Sequence, residues 1–123
     1  VEVKHATLSL GAGRLGFPDA VTTRGTKHLR ELVAERRRGH RAVLLFTAGR
    51  TDARSVQPAD EFDPEYGRTL REAVAAGVEV MAWRCSISPR EVRLTKELPV
   101  LLPEPPRSAA PSASRRASVK RAR

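Results

Sequence analysis

The chain opens Val1-Glu2-Val3-Lys4, which sets a carboxylate and an amine two residues apart in a run of β-forming side chains. On a strand, residues i and i+2 project from the same face, so Glu2 and Lys4 stand side by side. A carboxylate is a ligand for a hard divalent cation such as Mg2+ or Mn2+. An ammonium beside it can hold the negative charge that gathers on a phosphate or on an attacking water. An acid, one spacer and a lysine form the E-x-K half of a metal-dependent phosphodiester-cleaving site. The same spacing also occurs on solvated strand faces, where the pair is an ion pair worth roughly 0–1 kcal/mol. The chemical reading therefore depends on what accompanies it.

Other candidates follow. Asp19 sits in Phe17-Pro18-Asp19-Ala20 and offers a second carboxylate for a metal, although an Asp in such a loop also bonds neighbouring backbone readily. Arg24, Lys27 and His28 fall at the start of an expected helix. Cations there oppose the helix dipole, whereas the helix N-terminus favours an anion, so contact with phosphate explains them better than stability does. His28 can orient a water or touch a phosphate. Arg50 and Asp52 follow an apolar run, and the ends of such strands are common ligand positions; a turn held by their ion pair is the alternative. Glu2, Lys4 and His28 are thus the catalytic candidates, and Arg24, Lys27 and Arg50 the candidates for holding nucleic-acid phosphates.

The elements that must position these residues can be read from the pattern. Residues 1–10 read as a strand, broken by Gly11, Gly13, Gly16 and Pro18 into a loop. Thr22 or Thr23 offers an N-cap to a helix whose apolar stripe is Leu29, Leu32 and Val33. Arg36, Arg37 and Arg38 suit its last turn, and Gly39 stops it. Residues 41–48 contain an unbroken apolar run, as in a strand covered on both faces. Asp63-Pro64 starts a second helix, with Tyr66, Leu70, Ala73 and Val74 facing inward and Gly77 at its end. Residues 78–87 form another strand, with a short one over 91–94. Strand, helix, strand, helix, strand predicts an α/β fold: parallel neighbours with right-handed crossovers in a mixed sheet flanked by helices.

At 123 residues the chain holds one domain. Aromatics are 4%, so the core is built from Val, Leu and Ala. The net charge of +9 points to a polyanionic partner, nucleic acid above all. More than half of it lies on residues 104–123, where six Arg/Lys face one acid. After Pro103-Glu104-Pro105-Pro106 the composition turns to Ser, Ala, Pro, Arg and Lys, which predicts a disordered basic tail over 103–123. One cysteine, Cys85, excludes an intrachain disulfide and fits a reduced cytoplasmic setting. No apolar run approaches the ~18 residues of a membrane span, so no membrane partner is expected.

The order of short motifs adds a resemblance. Val1-Glu2-Val3-Lys4 is followed by FPDAVTTRGTKHLREL over 17–32, then Arg50-Thr51-Asp52, Gln57-Pro58-Ala59, Asp63-Pro64-Glu65-Tyr66, Gly77-Val78-Glu79-Val80 and Leu98-Pro99-Val100. The series resembles the sugar fermentation stimulation protein A family from Val1 to about Leu102. That resemblance implies a restriction-endonuclease-like domain of the PD-(D/E)xK type, preceded by an OB-type barrel, in proteins described as DNA-binding regulators and as DNA/RNA nucleases. It assigns Glu2 to the metal and Lys4 to the transition state, and adds the backbone carbonyl of Val3 as a metal ligand. The family's partner aspartate would lie on a strand ahead of Val1. The chain is accordingly read as the C-terminal part of a larger protein, residues 1–102 being a core that lacks its first strands. The expected function is metal-dependent cleavage of DNA or RNA by the complete protein; the alternative is a non-catalytic DNA-binding regulator of sugar (maltose) metabolism.

Overall fold

The structure is a computed structural model that describes residues 1–104. The basic tail expected over 103–123 lies, from residue 105 on, outside the described residues. Nine elements follow in order: β1 (Glu2–His5), β2 (Leu8–Gly11), β3 (Arg14–Phe17), α1 (Thr23–Arg37), β4 (Val43–Ala48), β5 (Ser55–Pro58), α2 (Pro64–Ala75), β6 (Glu79–Ile87) and β7 (Val92–Leu98).

A mixed four-stranded sheet has the order β1-β4-β6-β7. β1, β4 and β6 run parallel, with Glu2 opposite Leu44, Lys4 opposite Phe46 and Phe46 opposite Ala82; β7 returns antiparallel along β6. The two parallel crossovers carry α1 and α2, which pack against each other. Leu44, Phe46 and Ala48 are buried on the face the helices cover, and the alternate positions Val43 and Leu45 are half-buried. That difference between faces sets the register, because a one-residue slip would exchange them. Leu29 of α1 and Tyr66 and Leu70 of α2 complete the core, with Phe17 stacked between Phe46 (5.6 Å) and Tyr66 (5.3 Å).

Both helices start as the caps require. The Thr22 hydroxyl accepts from the Gly25 N–H at 2.9 Å, and the Asp63 carboxylate accepts from the Tyr66 N–H at 3.1 Å with Pro64 in the first turn. One strand expected over 1–10 is two. Ala6 is buried and its N–H still bonds the Thr47 carbonyl at 2.9 Å, but beyond it the chain leaves the large sheet. β2 and β3 then form a tight hairpin in place of the expected loop, with Ala12 and Gly13 both at positive φ, as a two-residue turn of this twist demands. Gly13 is further constrained by close approach, since a Cβ there would lie 2.7 Å from the Asp52 carbonyl. β5, not anticipated from the pattern, pairs parallel with β3 to complete a three-stranded sheet. The segment after β7 runs back along Val56, burying Val100 and Leu102.

Candidate active site

β1 is an edge strand of the large sheet. In a parallel ladder, alternate residues direct their backbone groups to the same side. The Ala6 N–H bonds β4, so Glu2 and Lys4 bond β4 as well. The carbonyl of Val3 consequently faces the open edge. The Glu2 and Lys4 side chains rise from the sheet toward α1, on the same face as Leu44 and Phe46.

His28, one and a half turns into α1, meets them there. Lys4 Nζ lies 3.0 Å from His28 Nδ1 and 3.4 Å from Glu2 Oε2, while Nδ1 and Oε2 are 3.2 Å apart. Nδ1 accepts from the ammonium, which has only donors, in one ring tautomer and donates to the carboxylate, which only accepts, in the other. Lys4 thus bridges the imidazole and the carboxylate. The three side chains are partly covered, at 15% exposure for Lys4, 21% for His28 and 33% for Glu2. The closest approaches of Glu2 to both partners are through Oε2, and among the described residues Oε1 has no hydrogen bond.

Tyr66 packs against the start of α1, the helix that carries His28. Its residue surface is fully buried, and its hydroxyl is buried without a hydrogen-bond partner among the described residues. Burial pushes the phenol pKa up, and the negative charges of Glu2 and then Asp63 add to the effect. The ring edge packs on α1 at Gly25, where a Cβ would come within 3.1 Å of Tyr66 Cε1 and 2.8 Å of Thr22 Cγ2. Asp63 joins the two helix starts, accepting from the Thr22 N–H at 2.8 Å through Oδ2 and from the Tyr66 N–H through Oδ1. Neither tie is visible from spacing, because Asp63 and Tyr66 read as cap and core of their own helix.

The remaining candidates lie further out. Asp19 is exposed in the bend between β3 and α1 and forms no hydrogen bond or ion pair with the cluster among the described residues. Arg24 is exposed in the first turn of α1, and Lys27 is exposed and 3.9 Å from Glu31. Arg50 grips Asp52 with two bonds of 2.9 Å, which holds the Asp52 carboxyl below its ordinary value. For a divalent cation the donors on hand are the Glu2 carboxylate and the outward-facing Val3 carbonyl. Both are hard oxygens, the class that Mg2+ and Mn2+ take. No group of three or more His, Cys, Asp or Glu able to hold a metal occurs among the described residues. Two oxygen donors would leave the rest of such a cation's coordination to waters or to oxygens from elsewhere.

A family model described as the sugar fermentation stimulation protein RE domain matches residues 1–91. The chain belongs to the sugar fermentation stimulation protein family. Within this family, curated homologues from Pelobacter propionicus and Geobacter sulfurreducens are 57% and 56% identical over 102 and 104 residues, covering 83% and 85% of the chain. The chain spans 44% of the length of each of these relatives. A solved structure of Pyrococcus furiosus SfsA in complex with Ca2+ is similar with a TM-score of 0.72 and 31% identity, over 80% of this chain and 43% of that one. This agreement supports the α/β, nuclease-like fold. Among the described residues, no helix is long and apolar enough to cross a membrane.

Proposed function

We propose that this chain carries the E-x-K half of a metal-dependent nuclease centre acting on DNA or RNA, and that the cluster of Glu2, Lys4 and His28 is its working part. The observation that supports the reading is their convergence across 24 residues of sequence at a half-open sheet edge. An ordinary surface ion pair has no need of a partly covered amine shared between a carboxylate and an imidazole. The likeness to a structure solved with Ca2+ adds support for a hard-cation site in this family.

In this reading the Glu2 carboxylate and the Val3 carbonyl would hold Mg2+ or Mn2+. A bound ion of this kind neutralises charge on the scissile phosphate and makes a coordinated water more acidic. Lys4 turns its ammonium from Glu2 to the phosphate and stabilises the charge that grows there. The His28 imidazole is then available to a phosphate oxygen or to the attacking water. Exposed Arg24 and Lys27, at the start of α1, hold flanking phosphates with help from the helix N-terminus. Arg50 adds to this surface only when it releases Asp52.

The test is cleavage of labelled DNA and RNA oligonucleotides with Mg2+ or Mn2+, using the full gene product that carries this chain. Glu2→Gln is expected to reduce cleavage at least about 100-fold, the order seen when one group stabilising the transition state is lost. Parent-like cleavage by Glu2→Gln would remove the proposal. Metal-independent binding by the parent with no turnover would favour a DNA-binding regulator instead.

A further inference from the structure

Tyr66 is where the structure shows an interaction left unfinished. A buried hydroxyl without a partner costs about 1–3 kcal/mol, and native proteins rarely keep one without a use. Phenylalanine would fill the same space between Phe17 and Gly25 with no orphan. The hydroxyl end of the ring lies against the first turns of α1, next to Gly25, and His28 is three residues further along the same helix face. Glu2, which meets His28 at 3.2 Å and whose charge acts on the Tyr66 phenol, makes its closest approaches to Lys4 and His28 through Oε2 and has no hydrogen bond to Oε1 among the described residues. A donor without a partner thus packs at the start of α1, and an acceptor without a hydrogen bond lies in the cluster that α1 completes.

We infer that Tyr66 is a positioning residue of the Glu2 site: its hydroxyl donates to the second Glu2 oxygen when the carboxylate turns from Lys4 and His28 toward a divalent cation. The inference rests on the nuclease-centre reading above. In the resting cluster Lys4 and His28 hold Glu2, and Tyr66 is idle. With Glu2 turned to the edge where the Val3 carbonyl faces out, as it would be to hold a cation, Lys4 and His28 would be free for phosphate. Tyr66 is then the remaining side chain able to fix the orientation of Glu2. A hydrogen bond to a charged acceptor is stronger than one between neutral groups, so the donor favours the cation-bound arrangement without touching the cation.

Mn2+ binding measured by calorimetry, together with thermal melting in EDTA, tests this on the full gene product with Tyr66→Phe and Glu2→Gln. Tyr66→Phe is expected to weaken Mn2+ binding about tenfold, the effect of losing one charge-assisted hydrogen bond. The metal-free melting temperature should hold or rise, because only an orphan group has been removed. A merely structural tyrosine would behave in the opposite way, with a lower melting temperature and unchanged Mn2+ affinity, and that result overturns the inference. If Glu2→Gln loses Mn2+ binding while Tyr66→Phe retains it, Tyr66 drops out and the Glu2 site stands. Parent-like binding by Glu2→Gln, or no binding by the parent at millimolar Mn2+, overturns the site reading and this inference together.

Discussion

A single carboxylate oxygen, Glu2 Oε2, is shared by an ammonium and an imidazole in the resting site. In the proposed centre the arrangement would make Lys4 a competitor for Glu2 before a cation arrives and a phosphate ligand afterwards. The two roles separate by mutation. Lys4→Ala is expected to reduce cleavage about 100-fold or more, with Mn2+ affinity unchanged or tighter because Glu2 has lost its internal partner. Its effect on folding should stay within about 1 kcal/mol, since the pair is only partly covered. Single-turnover cleavage, calorimetry and urea unfolding distinguish these outcomes; equal losses of binding and cleavage would assign Lys4 to holding Glu2 rather than to the reaction. The acid and the amine were legible in sequence because period-two spacing on a strand is strict. His28 was legible as the helix start nearest to them. The unpartnered hydroxyl of buried Tyr66 was not, since its position in the DPEY run is satisfied by packing alone.

The elements hold that cluster through their starts. Asp63 caps α2 and accepts from Thr22, the cap of α1, so one buried carboxylate fixes both helix N-termini relative to each other. Asp63→Ala is therefore expected to cost about 2–3 kcal/mol, a lost cap plus a stranded Thr22 N–H, whereas Thr22→Ala costs about 1 kcal/mol. Urea unfolding measures both, and equal losses would mean that the bridge contributes nothing beyond ordinary capping. The turn after β4 gives a pH counterpart. The hydrogen bonds from Arg50 hold Asp52 below its ordinary value, so this clip contributes stability above the unfolded carboxyl pKa and loses it as pH falls through the folded one. Arg50→Gln should return the Asp52 titration, followed by carboxyl NMR, to the usual aspartate range. Helices were readable because caps and glycine stops are local signals. The division of 1–10 into β1 and β2, and the existence of β5, were not: what separates them is which sheet each strand joins, and the pairing of Leu15 with Val56 is a contact no local pattern encodes.

Over the whole molecule, charge decides how nucleic acid would be held. Six of the Arg/Lys residues and only one acid fall on 104–123, leaving +4 of the net +9 on residues 1–103. Many cations of the folded part are already engaged: Arg41 with Glu79, Arg30 with Glu65, Arg50 with Asp52 and Arg71 with Asp60. Arg24 and Lys27 are exposed in the first turns of α1, Lys27 within 3.9 Å of Glu31. Two contributions to binding follow from this distribution, a non-specific one from the basic terminal sequence and a positioned one from the start of α1. Each phosphate neutralised on duplex DNA adds about −0.9 to the slope of log affinity against log salt. Removing residues 105–123 should therefore flatten the slope by several units while cleavage at saturating DNA persists. Arg24→Gln with Lys27→Gln should flatten it by only about two units, yet lower cleavage at saturating DNA, because those contacts set where the phosphate lies relative to Lys4 and His28. If truncation abolishes cleavage at saturating DNA and the double variant leaves it intact, the phosphate path runs along the basic terminal sequence and not along α1.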